Sequence, residues 1–216
     1  MATVLSLQLD SPGRVFEEAT RVIRRSGVIA MPTETFYALG ASTSDGVAVR
    51  RVCAIKGRPQ GKPILALIAD RAQLTALVHE IPPAATTLME RFWPGPLTLI
   101  FPASPLLAEV LTAGTGSVGV RQTAHAGLAP LLRQVGPLTG TSANRSGEPP
   151  ARTAEEVQRT LGSEVDLILD GGFTTGGLPS TIVDTGGPIR LLREGPISRQ
   201  QIEAALSMAG MTLGSS

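Results

Sequence analysis

The chain holds one cysteine, Cys53, among 216 residues. A single thiol excludes an internal disulfide and fits a reducing compartment. Two histidines are present, His79 and His125. Each stands in a segment that reads as helical, with a surface or packing role expected. With the only thiol far away, a His/Cys metal site is not expected. Aromatic residues number seven, with one Trp and one Tyr, and the formal net charge is +1. A strong nucleic-acid surface needs a concentrated basic face and stacking rings, so both scarcities argue against one. Nothing approaches the length of a membrane span. The opening "MATVLSLQLDSPGR" has no basic segment leading into a long apolar one. No export signal is read there, and a cytoplasmic location is expected.

Lysine is scarce too. Seventeen arginines accompany two lysines, and both lysines, Lys56 and Lys62, lie beside Arg58 in "AIKGRPQGKPI". Arginine-favouring codon usage with chance clustering is the plain explanation. The chemical one is a loop that gathers compact positive charge for phosphate.

What is present suits one domain over residues 1–216, with a core that needs no staples. Short apolar runs read as strands over 28–31, 64–69, 97–101, 117–121, 137–141, 166–170, 180–184 and 189–194. Amphipathic stretches read as helices over 11–27 (ended by Gly27), 45–55, 82–93, 105–113, 128–135, 153–162 and 198–210, with a further helix after Asp70. Thr153 and Glu156 form a predicted capping box, and Ser198 caps the last helix. Alternating strands and helices predict an α/β fold. The adjacent late strands predict a mixed rather than parallel sheet. Residues 211–216 read as a frayed tail.

Two nucleotide motifs fail on context. Gly114, Gly116 and Gly119 match G-x-G-x-x-G, but a helix precedes them and a strand follows, the reverse of what a dinucleotide site requires. Residues 57–63 resemble a phosphate loop one residue short, with Pro63 where a magnesium-binding hydroxyl should stand. There is no G-x-S-x-G elbow either. Four polar clusters follow apolar strands instead: "PTETFYALG" (32–40), Arg121, "TSAN" (141–144) and "PSTIVD" (179–184). Ligands of open α/β sheets collect at strand ends, and clustered hydroxyls and amides suit oxyanions and ribose. These residues predict a cleft for an anionic, phosphorylated small molecule. Turn formation is the alternative for the Thr33/Thr35 and Ser142/Asn144 pairs.

"PTETFYALG", "KGRP", "RFWPGPLTLIFPA", "SVGVR", "TSANRSGEPP" and "PSTIVD" occur in this order between residues 26 and 196. Together they resemble the YrdC/TsaC family, the threonylcarbamoyl-AMP synthases of tRNA modification. Phe36, Ala38 and Met31 depart from residues common in that family, which bears on pocket shape. The resemblance implies a single-domain twisted mixed sheet with flanking helices and a basic cavity, without the extra C-terminal domain of longer relatives. It implies that L-threonine, bicarbonate or CO2, and ATP with Mg2+ give threonylcarbamoyl-AMP and pyrophosphate. The product would pass to a separate tRNA threonylcarbamoyl transferase complex for t6A formation at position 37, with weak or no direct tRNA binding and no membrane association. Lys56 and Arg58 would act on the phosphates as the catalytic pair. Ser117, Thr141, Ser142, Asn144 and Arg193 would complete the ATP site. Thr33, Thr35, Arg121, Ser180 and Thr181 would surround threonine, and no protein metal ligand is implied. A non-enzymatic RNA-binding module, a maker of another carbamoyl-adenylate, and a paralogue of other activity remain as alternatives.

Overall fold

A computed structural model describes residues 1–8, 10–57 and 63–214. Arg58 and Lys62 therefore lie outside the described residues.

Helices form where spacing and caps predict them. In α1 (Pro12–Arg24) Val15, Ala19 and Ile23 recur every fourth residue and are buried. The helix ends as Ser26 takes a φ of 58° and the Gly27 N–H returns to Val22 O at 2.9 Å. Asp45 caps α2 (Gly46–Lys56) by accepting from the Val47 and Ala48 N–H groups. Next come α3 (Pro83–Phe92), α4 (Glu109–Thr112), α5 (Ala129–Val135), α6 (Ala154–Leu161) and α7 (Arg199–Ser207). Two predicted helices shrink. Residues 105–113 give only the single turn α4, ended by the positive φ of Ala113 and Gly114. The segment after Asp70 is a 3-10 turn, Arg71–Ala76. Ser198 and Gln201 cap α7 reciprocally. Thr153 caps α6 as predicted, but the Glu156 carboxylate reaches the Arg152 N–H at 2.7 Å, one residue before the expected partner. His79 and His125 stand in loops, not helices.

The strands form two mixed sheets. One runs in the order β1 (Thr3–Ser6), β9 (Leu167–Asp170), β2 (Ile29–Pro32), β3 (Tyr37–Gly40), β8 (Thr141–Ser142). The other runs β11 (Arg190–Arg193), β10 (Thr181–Asp184), β5 (Leu97–Pro102), β6 (Ser117–Gln122), β4 (Ala66–Ile68), β7 (Leu138–Thr139). The adjacent late strands β10 and β11 pair antiparallel while β10 lies parallel to β5, as a mixed sheet requires. Strands β1 and β3 escape the sequence reading, β3 because it lies within a motif dominated by its polar start.

The period of two then divides the second sheet. Leu97, Leu99, Phe101, Val118, Val120 and Val183 face the main core with α2, α3, α6 and α7. Their strand neighbours Thr98, Ile100, Gly119, Arg121 and Ile182 face a cleft. On the first sheet, Ile29, Met31, Leu167 and Leu169 pack under α1 and α5 in a second core.

Gly140 joins the two sheets. The predicted strand 137–141 breaks there: β7 pairs with β4, and β8 pairs with β3. The Gly140 N–H donates to Leu65 O at 2.9 Å. A Cβ at this position would collide with the Leu67 side chain and stand 2.7 Å from Leu65 Cδ1. Gly140→Ala is therefore expected to destabilise the protein by about 1–3 kcal/mol through overpacking, read as a lower Tm. An unchanged Tm would show that the leucines yield freely.

Candidate active site

The cleft over the second sheet has a volume of about 670 Å³. Its floor carries Leu65, Leu67, Thr98, Ile100, Gly119 and Arg121; the 33–38 segment, Lys56, residues of the 140–147 turn, Ser180 and Arg193 stand around it. Nine of the predicted residues thus meet: Thr33, Thr35, Lys56, Arg121, Thr141, Ser142, Asn144, Ser180 and Arg193 all line the cleft. Two do not. Ser117 sits at the far end of β6 opposite Pro102, with its hydroxyl 3.0 Å from that of Thr115. Thr181 is fully buried; its hydroxyl donates to Ile197 O and accepts from the Gly195 and Ile197 N–H groups. Strand alternation turns Thr181 to the face opposite its neighbours Ser180 and Ile182. Arg58 cannot be placed, since it lies outside the described residues.

Many of the polar groups serve one another. Lys56 is buried, and its ammonium donates to Ser142 O at 2.6 Å, Asn144 O at 2.9 Å and Asn144 Oδ1 at 3.1 Å. Asn144 Oδ1 also accepts from the Ser142 hydroxyl at 2.6 Å, while Nδ2 donates to Arg145 O and Glu148 O. Lys56 and Asn144 thus hold the 142–148 turn in shape, the turn-forming alternative of the sequence reading. Thr33 does the same for its own turn, donating to Phe36 O and accepting from the Thr35 and Phe36 N–H groups. Thr35 has its hydroxyl 3.1 Å from that of Thr33. Thr141 makes no side-chain hydrogen bond among the described residues, which leaves its hydroxyl for a ligand.

Cationic charge collects at one end. Arg121 is buried, with Nη2 2.6 Å from Glu34 Oε1 and Nε donating to that oxygen and to Gly95 O, both at 3.2 Å. The short Nη2 contact lies off the N–H direction, so it is a charge contact rather than a hydrogen bond. Thr123 Oγ1 and the Ala124 N–H also donate to the Glu34 carboxylate. Arg193 places Nε and Nη2 on Ser180 O at 2.9 and 2.8 Å. Burial, and then the Arg121 charge, lower the Arg193 pKa. An anion between the two arginines would counter both effects with a favourable charge interaction. Two contributors go unnoticed in the sequence: Glu34, which pairs with Arg121, and Thr98, whose hydroxyl lies 2.9 Å from that of Ser180. A polar residue within the apolar run "LTLIF" is the signal that marks Thr98.

Residues 21–195 match the Sua5/YciO/YrdC family, described as "Telomere recombination". This chain belongs to that family. It is 42% identical over 192 residues to the threonylcarbamoyl-AMP synthase of Bacillus subtilis, covering 88% of this chain and 56% of that protein. The chain therefore spans a little over half the length of that relative. It is 37% identical over 196 residues to the putative threonylcarbamoyl-AMP synthase of Mycobacterium tuberculosis, covering 90% of each. The crystal structure of Pyrococcus abyssi Sua5 complexed with L-threonine superposes with a TM-score of 0.88 at 36% identity, covering 99% of this chain and 62% of that one.

In this member of the Sua5/YciO/YrdC family, Glu34 also anchors the glycine-rich segment 171–179. The Thr175 hydroxyl donates to Glu34 O and the Gly176 N–H to Thr35 O. Arg152 lies 4.2 Å from the Phe173 ring centre and donates to Thr175 O. The glycine count predicts a loosely restrained segment; the structure gives it specific anchors. Burial alone would raise the Glu34 pKa, but the Arg121 charge and the hydrogen bonds from Arg121 and Thr123 outweigh it and hold the carboxyl below its ordinary 4.5. A lowered carboxyl pKa gives stability that is complete above the ordinary value and is lost as pH falls through the folded one. Glu34→Gln should cost about 3 kcal/mol at neutral pH by leaving Arg121 unpaired. Its gap from the unaltered protein should close on acidification below 4.5. Burial lowers the His125 pKa as well, so the difference between the two Tm–pH curves is the quantity to measure. A gap that stays constant into acid would remove the charge pairing.

Proposed function

We propose that the chain is a threonylcarbamoyl-AMP synthase, converting L-threonine, bicarbonate or CO2, and ATP into threonylcarbamoyl-AMP and pyrophosphate. The observation that carries this reading is the Arg121–Ser180–Arg193 cluster at one end of a cleft that also carries the hydroxyls of Thr33, Thr35, Thr98, Thr141 and Ser142. Similarity to proteins named for that activity, and to a structure complexed with L-threonine, supports it.

The threonine amine takes up CO2 to give a carbamate, or condenses with bicarbonate with loss of water. The carbamate oxygen is an anionic nucleophile. It attacks the α-phosphorus, and the bond to the pyrophosphate oxygen breaks. A Ser or Cys nucleophile is not needed; the residues position groups and offset charge. In this reading Arg121 and Ser180 take the threonine carboxylate, with the Thr35 hydroxyl beside it. Arg193 and the hydroxyls of Thr141 and Ser142 face the nucleotide. Lys56 adds charge near the phosphates through the 142–148 turn that it holds, with Arg58 as its expected partner. Gly119 leaves a flat apolar strip, because a Cβ there would stand 3.1 Å from Ile100 Cδ1 and 3.5 Å from Leu65 Cβ; that strip suits a purine. Mg2+ would accompany ATP on its phosphates and water, since no group of three or more His, Cys, Asp or Glu among the described residues could hold a metal ion.

The product then goes to a separate tRNA-modifying transferase. No helix among the described residues is long and apolar enough to cross a membrane, and the reading places the enzyme in the cytoplasm. Pyrophosphate release is expected only when threonine, bicarbonate and ATP are all present; equal release without an amino acid would reduce the activity to ATP hydrolysis. Binding of tRNA near physiological salt should be weaker than about 1 μM, because non-specific contacts are screened. Tighter binding in a gel shift would favour the RNA-binding alternative.

A further inference from the structure

Thr98 is 1% exposed, yet it belongs to the cleft floor. Its register explains this. Thr98 pairs with Ile182 across β5 and β10, and it precedes Leu99, which pairs with Val120, so Thr98 stands beside Arg121 on the cleft face. Its Oγ1 is 2.9 Å from Ser180 Oγ, a separation at which either hydroxyl could donate. The neighbouring arginine limits the arrangements. Arg193 Nη2 lies 3.2 Å from Ser180 Oγ, and a guanidinium can only donate, so one Ser180 lone pair is taken. Were Ser180 to donate to Thr98, the Thr98 proton would be left over; were Thr98 to donate, the Ser180 proton would be left over for an acceptor in the cleft that both residues line. In the second arrangement both Ser180 lone pairs are taken, one by Arg193 and one by Thr98. What remains on Ser180 is its proton.

We propose that Thr98 donates to Ser180 when an anion fills the cleft, and so is a positioning residue that turns Ser180 into a donor only and makes the arginine-flanked end of the cleft selective for a carboxylate over a neutral amide. A carboxylate accepts only, whereas an amide would bring two N–H groups toward a hydroxyl with no lone pair left and toward two cations. This rests on the threonine reading above. It extends that reading from which groups touch the substrate to how one of them is held.

The test compares L-threonine with L-threoninamide by titration calorimetry on the full chain, with ATP binding measured in parallel. Thr98→Val removes the hydroxyl and keeps the shape; Thr98→Ser keeps the hydroxyl. In Thr98→Val the preference for threonine over threoninamide should fall at least about tenfold with ATP affinity held within about twofold, while Thr98→Ser retains the preference. A general packing defect would weaken both ligands and ATP together without changing the ratio. Thr98→Ala serves as a second variant with the same expected loss, should Thr98→Val fail to fold. A ratio unchanged in either folded variant would overturn the inference while leaving the threonine reading intact. If the unaltered chain does not bind threonine at all, both fall together.

Discussion

A guanidinium buried on a strand must be paired, and the pairing of Arg121 with Glu34 organises this protein around its cleft. Arg121 projects from β6 in the second sheet; Glu34 lies in the turn between β2 and β3 of the first. Leaving either charge alone away from water would cost several kcal/mol, by analogy with other buried pairs. The pair therefore clamps the 33–36 turn over the sheet that floors the cleft. The backbone of the same turn holds Thr175 and Gly176, so the glycine-rich segment is placed by that clamp too. Gly140 closes the other side, where one strand passes from sheet to sheet.

Within this frame the polar groups fall into two kinds. Asn144 and Thr33 turn their hydrogen-bonding groups on their own turns, and Lys56 ties itself to the 142–144 segment. Arg121, Arg193, Thr141 and Ser180 keep capacity directed at the cleft. A site for the multiply charged ligand proposed above depends on both kinds. The turns supply fixed geometry, and the remaining donors meet the ligand without reorganising.

Much of this was legible beforehand. The alternation in "LTLIF", "SVGVR" and "STIVD" marks strands with two different faces, and the placement of polar clusters after apolar runs led to nine residues that do share one cleft. Ser117 and Thr181 were misplaced for a common reason. A motif groups residues by adjacency, whereas a strand sends neighbours to opposite faces and ladder ends to opposite rims. Glu34 was hidden within "PTETF" because its partner Arg121 is remote in sequence, and such pairings carry no local signal.

By itself the sequence determined the helix caps at Thr153 and Ser198, the strand periodicity, the mixed α/β class and the ordered motifs of its family. Each of these follows from interactions between residues a few positions apart. Only the tertiary structure decided that one predicted strand splits at Gly140 between two sheets. It also decided that Lys56 anchors the 142–144 turn, and that Thr98 reaches Ser180 across a ladder 82 residues apart in sequence. Those outcomes depend on how separate chain segments fill the same space, and hydrogen-bond capacity is allotted only once they are packed together.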